Sequence, residues 1–89
     1  MRDLRQTTRF RRDLKKVKRS GFNYLDLLAV VSMLLQDIPL PLHHNDHPLI
    51  GQWAGARDCH IKPDWVLIYQ KVDNELWLLR TGTHADLFG

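Results

Sequence analysis

Histidine is the residue type in this sequence that is best suited to acid–base chemistry. All five histidines lie between residues 43 and 84, whereas the first 19 residues hold nine Lys and Arg against two Asp. An imidazole can give or take a proton near neutral pH, because its unperturbed pKa is about 6.5. Positive charge and proton-transfer groups therefore occupy different parts of the chain.

Imidazoles placed beside an arginine suit the cleavage of an RNA phosphodiester by its own 2′-hydroxyl. A base removes the hydroxyl proton, an acid protonates the departing 5′-oxygen, and a cation holds the charge that builds on the phosphate. Each acid–base group typically contributes about 10²- to 10⁴-fold to the rate. Such a site needs no metal ion.

Three strands are predicted in the second half of the chain, at residues 56–61, 65–71 and 76–81. The Lys62-Pro63-Asp64 segment and the Asp73-Asn74 pair read as turns, so the three runs predict an antiparallel meander. The central run is apolar on both faces. We therefore expect it to be the buried middle strand, with helices over one side.

The meander brings polar side chains to one edge of the sheet, because the first strand ends, the second begins and the third ends there. The side chains gathered at that edge are His60, Asp64, Trp65 and Arg80. Gly82 permits a tight turn that would fold His84 back over the same edge. An irregular loop over residues 40–55 could deliver His47 to the same place.

Two helices are predicted before the sheet. Residues 8–19 carry apolar side chains at helical spacing and basic ones elsewhere, and Gly21 fits a left-handed C-cap. Asn23 is a favourable N-cap for a second helix that runs to about Gln36. The apolar surface of that helix is wide, so it is either sandwiched in the fold or partly covered by another chain. The short segment 1–6 predicts an edge strand.

These elements predict an α+β fold in which two N-terminal helices pack on an antiparallel sheet. The length of 89 residues, 44% of them apolar, indicates one domain over residues 1–89. The single cysteine cannot form an internal disulfide and the basic N-terminus lacks a signal-peptide pattern, so we expect a cytoplasmic protein. The longest apolar run, residues 22–35, is too short and too polar to span a bilayer.

The basic face of the first helix indicates a polyanionic partner, although such charge runs are often only a solvated surface. Its members are Arg9, Arg11, Arg12, Lys15, Lys16, Lys18 and Arg19. A module that binds nucleic acid without chemistry would show the same face. Discrimination between binding and cleavage therefore depends on the histidines.

Each candidate residue also has a structural interpretation. Arg80 could form an ion pair with Asp64, and Trp65 is favoured as a core residue. The three histidines of the loop, with His60 or His84 and a carboxylate, could instead ligate zinc. Those loop histidines are His43, His44 and His47. Their spacing matches no helical ligand pair, so we expect no metal and no cofactor.

Five ordered motifs resemble the YafQ branch of the RelE-type toxins. They are residues 46–49 (DHPL), 51–55 (GQWAG), 57–61 (RDCHI), 63–65 (PDW) and 80–89 (RTGTHADLFG). The resemblance implies a microbial RNase fold and a ribosome-dependent mRNA interferase that cuts mRNA in the ribosomal decoding site. It also implies a type II toxin–antitoxin system, in which a cognate antitoxin neutralises the toxin in a hetero-oligomer.

The resemblance also implies roles for individual residues. It makes His47, His60, Asp64 and His84 the acid–base set, with Arg80 as the phosphate-binding cation and Trp65 and Phe88 as substrate-positioning residues. We expect His84 to be the general acid, His47 or His60 the base, and Asp64 the carboxylate that orients a histidine. The basic residues of the first helix would contact ribosomal RNA. One departure is that the second helix carries no Lys or Arg, which argues against rRNA contact by that helix.

Overall fold

A five-stranded sheet organises the chain in a computed structural model that describes residues 1–89. The elements are β1 (Asp3–Gln6), α1 (Thr8–Arg19), α2 (Tyr24–Leu35), β2 (His47–Pro48), β3 (Arg57–Lys62), β4 (Trp65–Val72), β5 (Glu75–Gly82) and α3 (His84–Phe88). The strand order is β1-β5-β4-β3-β2, with β1 parallel to β5 and all other pairs antiparallel. The α+β prediction and the three-strand meander are confirmed.

Local side-chain hydrogen bonds set where the two N-terminal helices begin. The Thr7 hydroxyl accepts from the Phe10 amide at the start of α1, and the Asn23 side chain accepts from the Leu25 amide at the start of α2. Gly21 follows α1 with a φ of 88°, a left-handed conformation that glycine adopts without steric cost. The predicted bounds of both helices are confirmed to within a residue.

Strand β4 is buried on both of its faces, as its run of apolar residues predicts. Trp65, Leu67 and Tyr69 point towards the helices and join the main core with side chains of α1, α2, β3 and β5. Val66 and Ile68 point the other way, and both are fully buried. The face of the sheet away from the helices is therefore also covered.

A small second core covers that other face. It consists of Ala56, Val66, Ile68 and Leu87, with Leu49, Trp53 and Leu79 packed against it. The loop before β3 and the C-terminal helix α3 thus dock on the sheet through apolar contacts. The irregular loop predicted over residues 40–55 contains one short strand. His47–Pro48 pairs with β3 as the fifth strand of the sheet.

Only part of the wide apolar surface of α2 packs against the rest of the chain. Leu27, Val31 and Leu34 are buried in the main core, whereas Leu25 is 67% exposed and Leu28 is 40% exposed. One side of α2 therefore packs on the sheet and the other faces out. Neither the length nor the apolar character of any helix suffices for a membrane span.

Truncating the two cores should have different consequences. Leu67→Ala removes a fully buried side chain of the main core and should lower the free energy of unfolding by about 2–5 kcal/mol. Leu87→Ala loosens α3 alone, because a terminal five-residue helix can open without unfolding the sheet. Urea unfolding and amide hydrogen exchange of residues 84–88 measure the two effects. Equal global destabilisation by both substitutions would contradict this separation.

Candidate active site at the rim of the sheet

Two imidazoles and one aromatic ring lie in a row at the rim of the sheet. His60 comes from β3 and His84 is the first residue of α3, with their ring centroids 5.2 Å apart. Phe88 is four residues further along α3, hence on the same helix face, and its ring lies 5.4 Å from that of His84. The tail does fold back over the edge, as the position of Gly82 predicts.

His47 reaches the same region through β2. Its register partner on β3 is Asp58, whose Oδ1 lies 3.1 Å from His47 Nδ1. Nδ1 donates a hydrogen bond to the Asn45 carbonyl at 2.7 Å, so its proton is not directed at the carboxylate. Asp58 Oδ1 is buried and has no hydrogen-bond partner. An unsatisfied carboxylate oxygen thus lies beside an imidazole.

The loop that carries His47 is held in place by Asp46. Its carboxylate accepts from the Tyr69 hydroxyl at 2.6 Å and from Arg57 Nε at 3.1 Å. Burial and the Asp46 carboxylate together raise the pKa of Tyr69, so its hydroxyl remains a proton donor. The position of His47 therefore depends on contacts made by its neighbour in sequence.

Asp58 is the carboxyl group at the centre of this cluster. Burial raises the pKa of Asp58 above its ordinary value, and the nearby imidazoles of His47, His60 and His84 oppose that rise. Sequence reasoning missed this residue. The signal was available, because Asp58 stands two residues before His60 on one strand and therefore shares its face of the sheet.

No hydrogen bond joins Asp64 to a histidine in this structure, so no contact supports its predicted orienting role. It is exposed in the turn between β3 and β4, and its carboxylate makes no hydrogen bond or ion pair. The acceptor at His60 is instead the Pro63 carbonyl, 3.2 Å from Nδ1. Because a carbonyl oxygen only accepts, Nδ1 carries the proton and the Nε2 lone pair of the neutral ring is free.

Arg80 is held by Asp13 of α1 and not by Asp64, so the alternative of an Arg80–Asp64 ion pair does not occur. Its guanidinium donates two hydrogen bonds to Asp13, at 2.6 and 3.1 Å, and the Thr81 amide donates a third at 3.2 Å. Arg80 and Arg9 both line an open cleft of about 470 Å³. The remaining residues of this cleft are Gln52, Trp53, Asp86 and Leu87. Two guanidinium groups thus face one surface.

Helix α3 is fixed at its start by a capping box. The Thr83 hydroxyl accepts from the Asp86 amide, and the Asp86 carboxylate accepts from the Thr83 amide. The other oxygen of Asp86 lies 3.0 Å from Lys16 Nζ on α1. Lys16, predicted to bind ribosomal RNA, is therefore paired within the chain and ties α1 to the helix that carries His84.

The remaining basic residues of α1 form an exposed face. Lys18 Nζ lies 4.2 Å above the Tyr24 ring, a cation–π contact. The other five side chains have no partner in the chain. They are Arg9, Arg11, Arg12, Lys15 and Arg19.

Trp65 is a core residue and not a substrate contact. It is fully buried, its ring stacks on Phe22 at 4.9 Å, and its Nε1 donates to the Thr81 hydroxyl at 2.8 Å. The prediction of direct substrate contact is therefore wrong for Trp65, whereas Phe88 is 42% exposed and accessible. No group of three His, Cys, Asp or Glu side chains is arranged to hold a metal ion.

Two N-terminal helices, a five-stranded sheet and imidazoles at its rim fit one class of protein, the small bacterial toxins of type II toxin–antitoxin systems. The chain belongs to the YafQ family, since the family model described as "Bacterial toxin of type II toxin-antitoxin system, YafQ" matches residues 2–89. The resemblance drawn from the motifs is thereby confirmed.

Relatives and solved structures match this chain over nearly its whole length. The mRNA interferase toxin YafQ of Escherichia coli K12 is 40% identical over 99% of this chain and 97% of its own. YafQ in a crystal structure of the E. coli DinJ-YafQ complex is 40% identical with a TM-score of 0.92, and each chain is fully covered. A copper-bound mutant toxin from Helicobacter pylori is 41% identical with a TM-score of 0.95, covering 99% of this chain and 100% of its own.

The buried carboxyl of Asp58 predicts a specific pH dependence of stability. Its raised pKa means that the folded protein keeps this proton to higher pH than the unfolded chain does, so stability falls as pH rises above the ordinary value of 3.8. Asp58→Asn removes this dependence. The stability of Asp58→Asn relative to the wild type should therefore increase as the pH rises above 3.8.

Urea unfolding between about pH 3 and pH 7 measures this difference. Asp64→Asn is the matched control, because it neutralises an exposed carboxyl only six residues away. Its stability relative to the wild type should change little with pH. If the stability of Asp58→Asn relative to the wild type also stayed constant with pH, the raised pKa of Asp58 would be contradicted.

Proposed function

We propose that this chain is a ribosome-dependent mRNA interferase, the toxin of a type II pair, which acts in the cytoplasm and is neutralised by a cognate antitoxin. Membership of the YafQ family supports this, as do relatives named mRNA interferase toxins and the relative crystallised as a DinJ-YafQ complex. The observation that carries the catalytic part is the 5.2 Å separation of the His60 and His84 rings, beside a buried carboxyl.

In the proposed reaction, His60 is the general base and His84 the general acid. The free Nε2 of neutral His60 takes the proton of the 2′-hydroxyl as its oxygen attacks phosphorus. His84 gives a proton to the 5′-oxygen as the P–O bond breaks. The products are a 2′,3′-cyclic phosphate and a 5′-hydroxyl. The adjacent rings allow both groups to reach one phosphodiester.

The other residues of the rim stabilise and position this pair. Arg80 holds the charge that builds on the phosphate oxygens, with Arg9 in the same cleft. His47 and Asp58 lie beside the pair, where a protonated His47 compensates an ionised Asp58. Phe88 packs on His84 and offers a ring to the substrate. Asp13 is a positioning residue, because it acts through Arg80.

The exposed basic face of α1 is the proposed contact with ribosomal RNA. Five unpaired cations on one helix attract a phosphate backbone without reading its sequence. Lys16 contributes less, because it is engaged with Asp86. Helix α2 has no basic side chain from Asn23 to Gln36 and takes no part in this contact.

Replacing His84 tests the proposal directly. His84→Ala should reduce the single-turnover cleavage rate of ribosome-bound mRNA by about 10²- to 10⁴-fold, because the leaving oxygen loses its acid. Gln36→Ala, an exposed change far from the rim, is the control for folding and binding. Primer extension reports the new RNA ends, and EDTA added as its Mg²⁺ complex, which removes transition metals but leaves the ribosomes their Mg²⁺, should not change the result. Ribosome binding without any new ends in the wild type would leave only a binding module.

Replacing Asp13 tests the orientation of Arg80. Asp13→Ala frees the guanidinium from its two hydrogen bonds and should lower kcat by roughly tenfold to a hundredfold, since misplacing a catalytic group weakens transition-state contacts. Asp37→Ala breaks an exposed ion pair with Lys71 and serves as the control. Equal activity of the two variants would show that Asp13 does not position Arg80.

A further inference from the structure

The imidazole of His43 is exposed and has no part in the proposed reaction. His43 lies in a 3₁₀ turn, Leu42–His44, and its ring packs against that of His44, with the centroids 4.1 Å apart and the ring planes tilted by 39°. His44 is partly buried, and its Nδ1 donates to the His60 carbonyl at 2.6 Å. The outer ring is therefore supported by an inner ring that is bonded to the strand carrying the proposed base.

His43 and His60 line one open cleft of about 530 Å³. The other lining residues are Asn45, Ile61, Lys62 and Pro63. This cleft shares no lining residue with the cleft of Arg80. His60 thus borders a second surface, on which a strand leaving the scissile phosphate can continue.

The composition of this cleft suits an unpaired RNA nucleotide. A flat, exposed imidazole offers a π-face on which any base can stack. Asn45 adds an amide that can both donate and accept at a base edge. Lys62, whose side chain is 53% exposed, supplies a cation, and its pairing with Asp26 is loose at 3.5 Å. Ring faces and aliphatic stems beside an amide and a cation suit a nucleotide base together with its phosphate.

We propose that His43, backed by His44, is the stacking platform for the base immediately 5′ to the cleaved phosphodiester. This rests on the proposed function, because the direction follows from the role of His60. A base that takes the 2′-hydroxyl proton must face the nucleotide on the 5′ side of the scissile phosphate. Phe88, next to the acid His84, then faces the nucleotide on the 3′ side.

Single-turnover cleavage on ribosomes programmed with two mRNAs tests the platform. One mRNA is normal, and the other has an abasic residue 5′ to the cut that keeps its 2′-hydroxyl and phosphate. With the normal mRNA, His43→Ala should raise the half-saturating toxin concentration about tenfold, since one base–ring stack is lost. His43→Phe should restore it. With the abasic mRNA, wild type and His43→Ala should behave alike.

Leu42→Ala is the matched control, because Leu42 is 97% exposed in the same turn and carries no aromatic ring. It should match the wild type on both mRNAs. All reactions contain EDTA as its Mg²⁺ complex, which removes transition metals but leaves the ribosomes their Mg²⁺, so a metal held by the histidines cannot produce the effect. Circular dichroism verifies that each variant is folded.

Three results would overturn the assignment. His43→Ala could leave cleavage of the normal mRNA unchanged, or it could weaken cleavage of normal and abasic mRNA equally. It could also weaken binding to ribosomes without mRNA, which would place a ribosomal RNA base on His43. A wild-type protein that binds ribosomes but cuts no mRNA would instead refute the proposed function itself.

Discussion

The burial of β4 on both faces is the constraint on which the rest of the structure depends. One face carries the main core beneath α1 and α2, and the other would expose Val66 and Ile68 if nothing covered it. Covering that second face draws in the loop before β3 and the C-terminal helix α3 through Leu87. The loop and α3 are also the segments that carry His47 and His84. Packing of apolar side chains therefore assembles a polar rim from parts of the chain that are distant in sequence.

The rim has an electrostatic consequence that follows from this packing. Asp58 lies at its inner side, 2% exposed, with one oxygen that has no hydrogen-bond donor. Burying such a group destabilises its ionised form, which is why its pKa rises. Three nearby imidazoles can each become positive and offset that cost. The charge states of the carboxyl and the imidazoles are therefore linked, as expected of a site that moves protons.

Helix α1 links its exposed basic face to the rim. Asp13 fixes Arg80 through two hydrogen bonds, and Lys16 contacts the carboxylate that caps α3. Exposed ion pairs such as that of Lys16 contribute little stability, typically 0 to about 1 kcal/mol. The pair of Arg80 and Asp13 is more enclosed, with side-chain exposures of 11% and 14%. The same helix therefore presents free cations outwards and holds the guanidinium of Arg80 on its inner side.

Local patterns along the chain were enough to predict the elements and the class of protein, whereas the contacts between side chains follow from how the chain folds. Helical and alternating patterns, caps and turns are local signals, so α1, α2 and the meander of β3, β4 and β5 could be predicted. The motifs around the histidines sufficed to indicate the YafQ family. Three features depend instead on contacts between distant segments. Asp58, and not Asp64, lies beside the imidazoles, Arg80 pairs with Asp13, and β2 adds a fifth strand. Such contacts follow from how the two faces of one strand are covered, which no local pattern encodes.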